Sequence, residues 1–234
     1  MRTIIFRALL ASAAILGGVS SAHAIPTLRL TTSAGGDITV SDDGVGDSWP
    51  GPGVVLFNGS LPGWNVNITS GLSKPAVGSA ESPLLDLGSV NLNSIGTAGS
   101  IDIWLTDTDF AAIPSAAGVL AAIGGTTSGT ITYKTYFDSS NAPFGTGTEL
   151  TSMGPFSSTA FSNSAYGTLT SAGPFSLTLF VSIFHDGTSP FQLTSFDATV
   201  KVPEPSTLLL VGLGLVVALA LAPRRRLATA PFAR

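Results

Sequence analysis

Strict alternation of apolar and polar residues constrains this chain more than any other feature. In Trp64-Asn65-Val66-Asn67-Ile68-Thr69 every second residue is apolar, and Ile101, Ile103 and Leu105 alternate likewise with Asp102, Trp104 and Thr106. Ile131, Tyr133, Thr135 and Phe137 oppose Thr130, Thr132, Lys134 and Tyr136, and Phe175–His185 sets Phe175, Leu177, Leu179, Val181 and Ile183 on one face. A period of two belongs to strands, whose successive side chains point to opposite faces. Weaker candidates at Leu28–Thr31, Ile38–Val40, Val54–Phe57, Leu85–Leu92, Thr168–Leu169 and Phe191–Val200 bring the total to roughly ten short strands. Gly, Ser, Asn and Pro turns separate them. The expected fold is therefore all-β, an antiparallel β-sandwich or jelly roll. Only Ala111–Ile123 reads as helical, and Pro114 and Gly118 limit it to a turn or two. The Ser/Thr/Gly-rich stretches Thr126–Thr130 and Ser157–Ser164 read as loops.

Both ends of the chain depart from this pattern. Arg2 and Arg7 precede the apolar run Ala8–Val19, and Ala22-His23-Ala24 is a small-x-small cleavage site. Residues 1–24 therefore read as a cleavable signal peptide, cut after Ala24. At the other end, Val202-Pro203-Glu204-Pro205-Ser206-Thr207 leads into the uncharged run Leu208–Ala222, then Pro223 and Arg224-Arg225-Arg226. Counted from Ser206, that run makes about 25 Å of helix. This is at the short end for a hydrocarbon core of about 30 Å, so a transmembrane helix is expected over about residues 207–222. Arg224, Arg225 and Arg226 act as the stop and keep the C-terminal end, with its short tail 227–234, in the cytoplasm. Pro203 and Pro205 fix φ, lack N–H donors and push their neighbours towards extended backbone. Val202–Pro205 should thus be an exposed, extended strip with Glu204 as its one charged handle, the form that a processing enzyme needs in its cleft.

Val-Pro-Glu-Pro-Ser-Thr, the apolar span and the arginine triplet together resemble the PEP-CTERM sorting domain of exported bacterial proteins. The resemblance covers residues 202–226 and rests on Pro203, Glu204 and Pro205 as the sorting motif. It implies a Gram-negative host whose exosortase, a membrane-embedded cysteine peptidase, acts on the tail as a transpeptidase. It also implies a link to exopolysaccharide or biofilm production. The eight residues Leu227–Arg234 depart from the family's habit of stopping just after the arginines.

Between the two ends, residues 25–201 are expected to form one extracytoplasmic domain. From Ile25 to Val202 four basic residues face thirteen acidic ones, a net charge of −9. This argues against nucleic acid or anionic lipid as a partner. The chain has no cysteine, so an exported domain must rest on core packing, and thiol nucleophiles, zinc–thiolate sites and iron–sulfur clusters are excluded.

Few residues in the body could carry chemistry. Asp42-Asp43-Gly44-Val45-Gly46-Asp47, with Asp37 upstream, is the densest acidic patch. Oxygen-rich glycine loops suit Ca²⁺, but the patch lacks the EF-hand frame, and an Asp-Gly turn is the plainer reading. Asp107 and Asp109 could serve as a glycosidase acid and base; solvated turn formers at a strand end are the plainer alternative. His185 is the sole histidine outside the signal, and no Gly-x-Ser-x-Gly elbow accompanies it. It reads as surface decoration. Trp49, Trp64 and Trp104 with Tyr133, Tyr136 and Tyr166 could supply a sugar-stacking platform, Trp104 above all, because it alternates onto the polar face with Asp102 and Thr106.

The expected protein is an exported cell-surface or extracellular-matrix structural protein, anchored transiently in the inner membrane, handed to an exosortase-type peptidase and associated with exopolysaccharide. It is a substrate of processing and not an enzyme; no catalytic residue, metal ligand or cofactor is assigned. The alternative is a carbohydrate-binding module, with or without the help of calcium, carrying the same tail.

Overall fold

The alternation noted above closes into two sheets. The computed structural model describes residues 25–203, and among them there are twelve strands and no helix. In chain order the strands are β1 (Thr27–Thr32), β2 (Asp37–Ser41), β3 (Val54–Leu61), β4 (Trp64–Leu72), β5 (Leu84–Ser94) and β6 (Gly99–Phe110). They continue as β7 (Ile113–Thr127), β8 (Thr130–Asp138), β9 (Thr148–Phe156), β10 (Ala160–Ser171), β11 (Phe175–His185) and β12 (Gln192–Lys201). The first sheet has the order β2-β1-β6-β11-β8-β9 and the second β10-β7-β12-β5-β4-β3. Every pairing is antiparallel. The fold is an antiparallel β-sandwich.

Register puts the alternating apolar residues in rows across the inner faces. Leu30 pairs with Ile103, Ile103 with Val181, and Val181 with Tyr133, and all four are buried. The second sheet answers with Trp64, Val66, Leu85, Leu87, Val119, Ala121, Ala198 and Val200. Each large aliphatic side chain sealed in this way contributes about 1.5–3 kcal/mol, which stands in for the absent disulfides. Tyr133 crosses the interior to donate its hydroxyl to the carbonyl of Thr199 at 2.7 Å.

The helix expected at Ala111–Ile123 does not form: Ile113–Thr127 is a 15-residue strand. Val119, Ala121 and Ile123 face inward with period two, and β10 and β12 on either side take up the backbone donors and acceptors. Ladder pairing on both sides outweighs the weak helical preference of Ala-rich sequence. The expected loops contract likewise. Thr126 and Thr127 belong to β7, Thr130 to β8, and residues 160–164 to β10. Edge strands β9 and β10 are mostly exposed on both faces, so they lack sustained alternation, and only Thr168–Leu169 of β10 is expected as strand from the sequence.

The two sheets meet along both edges. β9 turns into β10 at one, where the Phe156 and Phe161 rings stack at 5.3 Å. The segment between β2 and β3 crosses the other. Val202 follows β12 directly, 2 % exposed, with its N–H donating to Pro83 O at 2.9 Å. The extended strip expected from Val202 onwards is thus exposed only from Pro203. The boundary of this compact unit falls between Pro203 and Glu204. Among the described residues no helix is long and apolar enough to cross a membrane. Ala22, Ala24, Glu204, Pro205, the expected span and Arg224–Arg226 lie outside the described residues.

Candidate functional site

Four groups of side chains merit a functional reading, and the first lies on the outer face of the first sheet. Register lines up Arg29, Trp104, Phe180 and Lys134 across β1, β6, β11 and β8. The Trp104 ring lies 4.1 Å from that of Phe180 and stacks at 6.5 Å and 23° on Tyr136. All three rings are half-buried. Arg29 pairs with Asp37 at 2.7 Å and Lys134 with Glu149 at 2.8 Å, so an ion pair stands at each end of the aromatic row. In each pair the charge-assisted hydrogen bond is the leading influence; it holds the Asp37 carboxyl below and the Lys134 ammonium above its ordinary range. A neighbouring row, Asp102 and Ser182, is joined by a 2.6 Å hydrogen bond. The loop after β8 covers the row on the other side. Phe144 N–H donates to Thr106 Oγ1 and Ser176 Oγ to Ala142 O. A half-exposed aromatic strip with charged ends therefore stands beside a covered row. Such a strip can stack against a sugar ring while the flanking polar groups take its hydroxyls.

The second group was not foreseen. On the outer face of the second sheet, Asn58, Asn65, Asn67, Asn91 and Asn93 line a groove of about 470 Å³. Ser60, Asn65, Asn93 and Leu193 form one cross-strand row. Ser60 Oγ donates to Asn65 Oδ1 at 2.9 Å, and Asn93 Oδ1 is buried without a partner. The signal was present in the sequence as two Asn-x-Asn alternations, Asn65/Asn67 and Asn91/Asn93. Only the pairing of β4 with β5 brings them together.

The acidic patch forms the third group. Carboxylate oxygens of Asp42, Asp43 and Asp47 all lie within 4.8 Å of one another. Burial raises the Asp42 carboxyl above its usual range, the Gly53 N–H opposes this, and the charges of Asp43 and Asp47 reinforce it. Asp37 stands apart, committed to Arg29.

His185 and Asp107 are interior residues, contrary to the sequence reading of a surface histidine and a solvated turn acid. His185 is 0 % exposed and lies 4.6 Å from the Trp64 ring. Its Nδ1 bonds Ser94 Oγ at 3.0 Å and its Nε2 bonds Thr194 Oγ1 at 2.9 Å. Thr194 continues to Thr127 at 2.7 Å, so the ring stitches β11 to the second sheet. Burial depresses its pKa to about 4, against a smaller upward pull from Asp186. Asp107 is 1 % exposed and held by Lys74 and Ser73, while Asp109 is exposed and bonds Asn141. The pair cannot act together on a substrate. Of the other aromatic candidates, Trp64 and Tyr133 are in the core, whereas Trp49 and Tyr166 are exposed, the latter on β10 of the second sheet.

Comparison with known proteins adds one match in sequence. The family model of the PEP-CTERM protein-sorting motif matches residues 201–226. The chain carries that motif. None of the curated proteins matches. Among solved structures, the C-terminal CBM6 of LamC, a marine laminarinase from Zobellia galactanivorans, is 12 % identical with a TM-score of 0.25, covering 49 % of this chain and 79 % of its own. Isomalto-dextranase of Arthrobacter globiformis T6, complexed with panose, is 12 % identical with a TM-score of 0.23, covering 74 % and 23 %. Infectious bursal disease virus, Gx strain, is 14 % identical with a TM-score of 0.27, covering 80 % and 53 %. These scores are too low to carry an argument about function.

Proposed function

We propose that residues 201–226 are the exosortase-read sorting signal of an exported protein, and that the sandwich is the surface or matrix component it delivers. The carrying observation is the motif match at residues 201–226. The junction supports it: the fold closes at buried Val202, and Pro203 is already exposed. A peptidase that reads the motif would therefore find the folded body already closed at Val202. The protein is a substrate of processing and not a catalyst, a reading supported by the sealed His185 and the ion-paired Asp107. It starts anchored in the inner membrane, body outside the cytoplasm, and ends at the cell surface in association with exopolysaccharide.

Mass spectrometry of the released form in the native host tests this. The mature chain should lack residues 1–24 and 208–234, and Glu204→Ala should leave it anchored with the sandwich folded. Unchanged release of Glu204→Ala, or a mature chain that retains Arg224–Arg226, would refute the sorting role.

A second reading is favoured by the Trp104–Tyr136–Phe180 strip. The sandwich binds polysaccharide through the outer face of its first sheet, the apolar rings stacking on sugar faces. Pull-down on the host's own exopolysaccharide reads this directly. Trp104→Ala should lose retention at least tenfold, and Asn93→Ala should not. Loss in Asn93→Ala alone places contact in the opposite groove and overturns the assignment.

A further inference from the structure

We propose that the segment joining β2 to β3 is a calcium site, with Asp42, Asp43 and Asp47 as its carboxylate ligands. The inference is independent of the sorting and polysaccharide readings. Three carboxylate oxygens within 4.8 Å of one another repel unless something positive stands among them. Oxygens that share one Ca²⁺ at 2.3–2.6 Å can be at most about 5.2 Å apart. The cluster satisfies that limit. The ion pairs among the described residues are Arg29–Asp37, Lys74–Asp107 and Lys134–Glu149, and none of them reaches these three acids.

A second observation is independent of the clustering. Asp42 is only 9 % exposed; its Oδ2 accepts the Gly53 N–H at 2.6 Å, while its Oδ1 is buried with no partner. A carboxylate oxygen removed from water needs either a proton or a cation. The Gly53 and Val54 N–H groups face the Asp42 carboxylate, and the other nearby backbone donors serve Asp43 and Asp47. Asp47 Oδ1 accepts from Trp49 and Leu56, Asp47 Oδ2 from Asp43, and Asp43 Oδ1 from Gly51. These bonds hold the Asp43 and Asp47 carboxylates in place beside Asp42, whose Oδ1 is left without a hydrogen bond.

The donor set identifies the ion. It is all oxygen, with neither imidazole nor thiolate, which suits hard cations over zinc or copper. Ca²⁺ tolerates irregular geometry, whereas Mg²⁺ demands a near-ideal octahedron. A cleft of about 230 Å³ beside the cluster, lined by Asp43, Asp47, Ser48 and Trp49 among others, gives an ion and its waters a way in. Bound calcium would fasten the edge where β2 of the first sheet passes to β3 of the second.

Calorimetric titration of the chelator-treated protein with CaCl₂ tests the site, with the fluorescence of Trp49 beside it as a local reporter. The expected result is one saturable site per chain with Kd of about 10⁻⁴–10⁻³ M, the range of extracellular modules. A raised Tm should accompany it, and the response to MgCl₂ should be at least tenfold weaker. Asp43→Asn, at an exposed position, should weaken binding at least tenfold with the calcium-free Tm little changed. Asp42→Asn should abolish the response and raise the calcium-free Tm. No heat and no fluorescence change at millimolar calcium in the wild type would overturn the proposal, as would an undiminished response in Asp43→Asn.

Discussion

Lys74 Nζ lies 2.8 Å from Asp107 Oδ2, and the two side chains are 4 % and 0 % exposed. Nζ also stands 4.1 Å over the centre of the Phe110 ring and donates to Thr108 O, while Asp107 accepts further from Ser73 Oγ and Thr108 N–H. The segment after β4 is thereby fastened to β6 of the opposite sheet. Lys74→Met leaves a buried carboxylate uncompensated and should cost about 3–5 kcal/mol in urea denaturation. Lys74→Met with Asp107→Asn should recover most of that. A single-mutant cost below about 1 kcal/mol would mean that water reaches Asp107.

Acid acts on this fold through two groups of opposite sense, half-buried Asp86 and buried His185. Burial first, and then the neighbouring Asp197 charge and its hydrogen bond, raise Asp86 to about 6 from 3.8. The folded state therefore takes up that proton before the unfolded chain does, and stability is gained as pH falls from about 6 to 4. His185, depressed to about 4 from 6.5, binds its proton later in the folded state, so stability is lost over nearly the same window. Each variant should expose the other's trend. Between about pH 7 and pH 4.5, the urea midpoint of Asp86→Asn should fall relative to wild type and that of His185→Gln should rise. Identical pH profiles for all three proteins would contradict both assignments.

Two glycines of β7 should behave differently. A Cβ on Gly125 would overlap the carbonyl oxygen of Ser195 on β12, whereas a Cβ on Gly118 meets nothing within 4 Å. Gly125→Ala should destabilise by about 1–3 kcal/mol or more, since a backbone cannot step aside like a side chain. Gly118→Ala should be neutral or stabilising by about 0.5–1 kcal/mol. Thermal melting of the two variants compares them directly.

The sequence was most readable where one face of a strand is buried and the other wet. Trp64/Val66, Ile101/Ile103/Leu105 and Leu177/Leu179/Val181 stand where their alternation puts them. It misled at Ile113–Thr127, where small residues pattern weakly and two neighbouring strands decide the conformation. It was mute at β9 and revealed only Thr168–Leu169 of β10, strands that bury little on either face. Polar residues in the interior escaped for a different reason. His185 continues the inward parity of Phe175–Ile183 but has a polar ring that reads as surface, and Lys74 carries no local mark of burial. Their partners Ser94, Thr194 and Asp107 lie 91, 9 and 33 residues away and are identified only by sheet pairing and packing. At the candidate sites, Trp104 was readable as an outward aromatic, but its neighbours Phe180 and Tyr136 depend on the registers of β11 and β8. The asparagine groove needs two strands at once.

Val202 directly follows β12, a strand hydrogen-bonded on both sides, to β5 and to β7, and that placement decides how the body would carry a mechanical load. Ladder bonds run across strands, so a pull at Pro203 along β12 strains both ladders together in shear. A tail hung from edge strand β3 or β10 would instead let tension open one bond after another, like a zip. The point of attachment makes the sandwich a body suited to being towed by its C-terminal end.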